Sequence, residues 1–181
     1  MLSEEIGFSF IRMENFFYET MEKKKHMFSK LITNHELIDQ ETLFIEETDT
    51  LVNGVVKLFR DEYHITCNYK DGKKVGLIEY VYKNSQLALR GYFINGKEHG
   101  LWEGFHENGE PAIRLNFKEQ KLHGELVYYS DNMDGQIQMR GHCYNNQDHG
   151  LWEHFCLETG KLDFIQYYLY GVEIESNEIP Y

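Results

Sequence analysis

Arg90-Gly91-Tyr92-Phe93-Ile94-Asn95-Gly96-Lys97-Glu98-His99-Gly100-Leu101-Trp102-Glu103 returns 50 residues later as Arg140-Gly141-His142-Cys143-Tyr144-Asn145-Asn146-Gln147-Asp148-His149-Gly150-Leu151-Trp152-Glu153. Weaker copies lie before, between and after the two. Aligning the chain on the glycine that closes each copy gives anchors at Gly54, Gly76, Gly100, Gly124 and Gly150, spaced 22, 24, 24 and 26 residues apart. A period in the twenties is the mark of a repeat architecture, in which each unit is one supersecondary element that cannot bury its apolar face alone.

Each unit contains two turn signals and therefore two strands. The first turn lies about four residues before an anchor, as in Asp71-Gly72, Asn95-Gly96 and Asn145-Asn146. These pairs suit a tight hairpin because both central residues need positive φ. Glu119-Gln120 stands where Asn-Gly is expected, and Gly171 is the corresponding glycine of the last unit. The second turns are Asp61-Glu62, Lys83-Asn84-Ser85, Glu107-Asn108-Gly109, the longer Ser130–Gly135 and Glu158-Thr159-Gly160.

Alternation assigns faces to the strands. Before the anchors, Ile65/Cys67/Tyr69, Leu89/Gly91/Phe93, Ile113/Leu115/Phe117, Met139/Gly141/Cys143 and Phe164/Gln166/Tyr168 fall on one side. Arg90/Tyr92, Arg114/Asn116 and Arg140/His142 fall on the other, which is period-two strand logic. After the anchors, outward Glu79, Glu103 and Glu153 place Trp102 and Trp152 inward, with Gly104 expected to leave room beside Trp102. Phe59, Val81, Phe105, Tyr129 and Phe155 would then form an exposed, aromatic-rich row. Glu79 is expected opposite Arg90, and Glu103 opposite Arg114. The arginine row is either a set of structural partners for these glutamates or a contact row.

The first 50 residues read differently. Met13, Phe16, Phe17, Met21, Met27, Phe28 and Leu31 recur at helical spacing. They predict a helix over 13–32, led by a short strand at 6–12. Leu43-Phe44-Ile45 reads as a strand joining the sheet. The domains are then an N-terminal segment over 1–47, a hairpin array over 48–172 and a C-terminal cap over 173–181. The fold class is mainly β: an open antiparallel meander of stacked hairpins with an N-terminal helical segment.

Composition narrows the function. The 181 residues carry a net charge of −12, with 41% apolar and 15% aromatic residues. An acidic chain repels phosphate backbones and anionic lipid, which disfavours nucleic acid and acidic membranes and favours a basic protein partner. Cys67, Cys143 and Cys156 form no CxxC pair, the Met-Leu-Ser-Glu-Glu start resembles no signal peptide, and no run approaches the ~20 apolar residues of a membrane span. The expected setting is cytoplasmic, with reduced thiols.

No motif of nucleophile, phosphate loop or zinc protease is present. His99, His123 and His149 invite a metal reading, but equivalent positions two strands apart lie about 10 Å from each other. Zinc ligands converge within ~2 Å of one ion. These histidines read as hydrogen-bonding groups of their own loops, and no cofactor, metal or catalytic residue is expected. The candidate partner surface is Phe59, Val81, Arg90, Tyr92, Phe105, Arg114, Tyr129, Arg140 and Phe155.

The unit Tyr/Phe-x-Asn/Asp-Gly-Lys-x-His-Gly-x-Trp-x-x-Phe-x-x-x-Gly, best kept in 93–109 and 143–160, resembles the MORN-repeat variant of bacterial YwqK-like antitoxin proteins. The resemblance covers roughly residues 48–172. It implies a sheet of stacked hairpins without catalytic residues, and a binding role as an antitoxin or immunity protein that neutralises a partner toxin by surface occlusion. The other reading is a scaffold or peripheral membrane adaptor of MORN type. Open sheet ends expose pairing groups; they are either capped by the termini or used for self-association.

Overall fold

A computed structural model of the protein describes residues 44–45, 50–59, 63–131 and 135–175. The expected helix over 13–32, the strand at 6–12 and the Asp61-Glu62 turn lie outside the described residues. The chain divides into two units, Met1–Gln40 and Glu41–Tyr181, and all described strands belong to the second.

The described part is mainly β. The strands are β1 (Phe44–Ile45), β2 (Thr50–Leu51), β3 (Gly54–Phe59), β4 (Tyr63–Lys70), β5 (Lys73–Tyr82), β6 (Leu87–Ile94), β7 (Lys97–Phe105), β8 (Pro111–Lys118), β9 (Lys121–Leu122), β10 (Gly124–Tyr129), β11 (Ile137–Tyr144), β12 (Gln147–Asp148), β13 (Gly150–Phe155), β14 (Leu162–Leu169) and β15 (Val172–Ile174). Thirteen of them form one open sheet in the order β15-β14-β13-β11-β10-β8-β7-β6-β5-β4-β3, with β9 on β8 and β12 on β11. The order follows the chain, so the sheet is an antiparallel meander of hairpins, as the two-turn repeat requires. One expectation is corrected. The strand at 44–45 exists, but it pairs with Thr50–Leu51 in a separate two-stranded ladder and does not join the large sheet. The chain reverses within five residues, so the nearest free strand edge is local.

The hairpin turns carry positive φ at both central residues: Asp71 50° and Gly72 71°, Asn95 51° and Gly96 80°, Asn145 51° and Asn146 71°, Tyr170 50° and Gly171 81°. Glu119 and Gln120 adopt the same pair, 50° and 70°, without the residues that favour it. Successive turns are tied together. The second turn residue donates its N–H to a carbonyl of the preceding unit: Gly72 to Val52 at 2.9 Å, Gly96 to Lys74 at 2.9 Å, Gln120 to Glu98 at 3.0 Å, Asn146 to Leu122 at 2.9 Å and Gly171 to Asp148 at 2.8 Å. A tight turn has one such donor left over, and stacking supplies its acceptor. At the opposite ends of the hairpins the register slips at equivalent places, Tyr80/Val81, Gly104/Phe105, Tyr128/Tyr129 and His154/Phe155.

The core lies on the face assigned by alternation. Ile65, Cys67, Tyr69, Leu89, Phe93, Ile113, Leu115, Met139, Cys143 and Tyr168 are buried, with Trp102 fully and Trp152 almost fully so. Trp102 meets Phe93 edge-on at 5.4 Å and Phe117 at 5.7 Å; Trp152 meets Tyr168 at 6.3 Å. The glycine that makes room for Trp102 is Gly91 on the neighbouring strand: a Cβ there would lie 2.1 Å from the indole Cδ2. Gly141 stands in the same relation to Trp152. Each indole removes ~200 Å² from water, worth about 5 kcal/mol at ~25 cal/mol per Å². An exposed cross-strand ion pair contributes roughly 0.2–1 kcal/mol. The aromatic face therefore stabilises the sheet, and the polar face is free to serve other ends.

Candidate binding face

The polar face is organised by a row that crosses ten strands. Cα partners run Lys57–Thr66–Glu79–Arg90–Glu103–Arg114–Val127–Arg140–Glu153–Ile165. Side chains at partnered positions stand on the same face, so acids and bases alternate across its centre. Arg90 lies opposite Glu79, as expected, and opposite Glu103 on its other side. It is Glu103 that it binds, with Nε at 2.8 Å and Nη2 at 2.7 Å from Oε2. Arg140 Nε donates to Glu153 Oε2 at 2.6 Å. This hydrogen bond holds Glu153 below its usual carboxylate range and raises Arg140. Glu103 lies opposite Arg114 too, but at 3.8 Å from its Nε.

All nine candidate surface residues stand on this face. Phe59 is 69% and Tyr92 53% exposed; Arg90 and Arg140 are exposed and Arg114 half-buried. The exposed aromatic row is corrected: Val81, Phe105, Tyr129 and Phe155 are half-buried. The Arg90 guanidinium lies 5.8 Å from the Phe105 ring centre, and that of Arg140 lies 5.5 Å from Phe155. An arginine stem covers apolar surface while its head stays wet, and its guanidinium is drawn to a ring face. Arginine, glutamate and ring thus form one interlocked set, which alternation alone does not reveal.

Sequence reasoning missed a second group. Leu77, Ile94, Tyr144, Leu151 and Ile165 are exposed and share the polar phase of their strands. Their signal was present, since an apolar residue in a polar phase lies off the face that carries the aromatic core.

The histidine series lies at the hairpin-turn end. His149 Nδ1 accepts from the Tyr170 backbone N–H at 3.5 Å, and Asn53 Oδ1, at the equivalent place, accepts from Asp71 N–H at 2.8 Å. This corrects the expected bond within the residue's own loop, because the acceptor serves the turn of the next unit. His123 lies 5.0 Å from the Tyr144 ring, and His149 lies 4.7 Å from Tyr170. Among the described residues no three His, Cys, Asp or Glu could hold a metal ion together.

The thiols differ in character. Burial pushes Cys67 up to about 11. Cys143 is buried and donates to Asp148 Oδ1 at 3.3 Å, while its neighbour His142 is exposed on the other face. Cys156 is lowered by hydrogen bonds from Thr159. Among the described residues no helix is long and apolar enough to cross a membrane.

No family model and no curated protein matches the chain. Among solved structures, 53% of the chain is similar, at 12% identity and a TM-score of 0.30, to a crystal structure of a S. aureus TarM mutant in complex with fondaparinux, alpha-GlcNAc-glycerol and UDP. A GtfA/B complex matches 62% of the chain at 19% identity and a TM-score of 0.26. Accessory secretory protein 1,2 and 3 of Streptococcus pneumoniae match 64% at 12% identity and a TM-score of 0.24. The matched stretches span only 21%, 20% and 20% of those chains.

Proposed function

We propose that the protein is a non-catalytic binding protein whose polar sheet face engages a protein partner, as an antitoxin or immunity protein that neutralises a toxin by covering it. The observation that carries this reading is a single face bearing the Arg–Glu row together with exposed Leu77, Tyr92, Ile94, Tyr144, Leu151 and Ile165. Arginine and aromatic residues are enriched at protein interfaces. The central charges of the row nearly balance, so the acidity that favours a basic partner resides in the chain as a whole, at −12. Occlusion would then be steric, with the exposed apolar residues in contact and electrostatic attraction setting the approach.

Co-expression with the product of the adjacent gene tests the proposal. A soluble complex and relief of toxicity are expected, with both weakened by Tyr92→Ala. Neither complex nor rescue would overturn it. Binding to anionic vesicles at physiological salt would point to a membrane adaptor in its place.

A further inference from the structure

Three equivalent sets of residues recur along the row: Arg90–Glu103–Phe105, Arg140–Glu153–Phe155, and between them Arg114–Val127–Tyr129. In the first and last, the acid on the next strand hydrogen-bonds the guanidinium, which also lies over the ring. In the middle set Val127 stands where its repeat equivalents carry glutamate. The Arg114 side chain consequently makes no hydrogen bond among the described residues; its Nε is buried without a hydrogen-bond partner. Its nearest carboxylate oxygen is Glu103 Oε1 at 3.8 Å, while Glu103 Oε2 is engaged by Arg90. On the far side of Val127, Arg140 is bound to Glu153. The Arg114 side chain is nonetheless 41% exposed. A hollow beside it is lined by Glu103, Phe105, Pro111, Ile113, Arg114 and Tyr129.

We propose that Arg114 receives a carboxylate side chain from the partner protein, set over Val127 where the neighbouring repeats place their own glutamate. The repeat supplies the template. Glu103 and Glu153 show that a carboxylate opposite this arginine position satisfies the guanidinium, whose planar fork matches two carboxylate oxygens. Arg114 and Arg140, on either side of Val127, would both face the incoming group. Glu103, opposite Arg114 on the neighbouring strand, and Glu125, two residues before Val127 on its own strand, stand nearby. Their charge disfavours a phosphate dianion and leaves the singly charged carboxylate as the fitting ligand. A guanidinium short of acceptors costs free energy, and a carboxylate meeting the exposed part of the Arg114 side chain recovers some of it. The source of the carboxylate rests on the protein-binding reading above; the chemistry of the site does not.

The test uses the full chain with ¹⁵N-labelled arginine and reads the Nε–Hε resonances during titration with N-acetylglutamate at low ionic strength. Arg114 is expected to shift saturably and further than Arg90 and Arg140. Val127→Glu should weaken that response about tenfold or more by supplying the acid internally. An Arg114 response no larger than that of the paired arginines would overturn the proposal. So would an undiminished response in Val127→Glu, or tighter binding of inorganic phosphate. Because Val127 is only 3% exposed, Arg114→Lys provides a second arm, read at the Val127 amide. Loss of its shift is expected, and a retained shift would count against the site. The probe is a small molecule, so failure here is separate from failure of the co-expression experiment.

Discussion

Gly91 and Gly141 show how far a single residue reaches in this sheet. Neither sits in a turn, and both lie on strands where alternation calls for an apolar side chain. Their missing Cβ is what lets Trp102 and Trp152 lie flat against the neighbouring strand. Gly91→Ala should therefore destabilise the protein by about 3 kcal/mol or more, because a Cβ at 2.1 Å can be relieved only by moving a fully buried indole. Chemical denaturation measures this. An unchanged midpoint would mean that the indole is not held where it is found, and Trp102→Leu in the same background should recover part of the loss. The inward phase of both residues was legible in the sequence. Which glycine serves which indole was not, because Gly104 is nearer along the chain while Gly91 is nearer across the ladder.

Among the elements, the hairpin is the unit that matters, and Glu119-Gln120 is its informative exception. Asn-Gly and Asp-Gly were readable as tight turns because the left-handed region is cheap for those residues. Glu119 and Gln120 enter it all the same, since Gln120 must donate to Glu98 O at 3.0 Å to continue the spine of stacked turns. Neighbouring units thus override local preference. Replacing the pair by Asn-Gly, as at Asn95-Gly96, should stabilise the protein by about 1 kcal/mol by relieving left-handed strain. Thermal and urea unfolding would both register the gain, and a loss of stability would show that the two side chains make contacts worth more than the strain. The strand at 44–45 was the converse case: its β character was legible, but its partner was not, because a short apolar run does not say which edge it will meet.

Over the array as a whole, the sheet behaves as a chain of nearest neighbours in which each hairpin depends on the two beside it. The central strands hold most of the core, whereas β14 leaves Leu162, Ile165 and Leu169 exposed and β15 has three residues. Native-state hydrogen exchange should accordingly show protection highest in β6 to β11 and falling towards β14 and β15. Uniform protection along the array would mean that the units unfold as one cooperative block. The period, the two strands per unit and the division into an aromatic face and a polar one were all written in the amino-acid order. They rest on local rules: turn residues that tolerate positive φ, and side chains that alternate every two residues. Three further features came from the folded sheet alone. Arg90 binds Glu103 in preference to Glu79, Arg90 and Arg140 lie over Phe105 and Phe155, and Val127 leaves Arg114 Nε without a hydrogen bond among the described residues. Those choices depend on register, on the recurring bulges and on the reach of side chains across strands, none of which is written in a single strand.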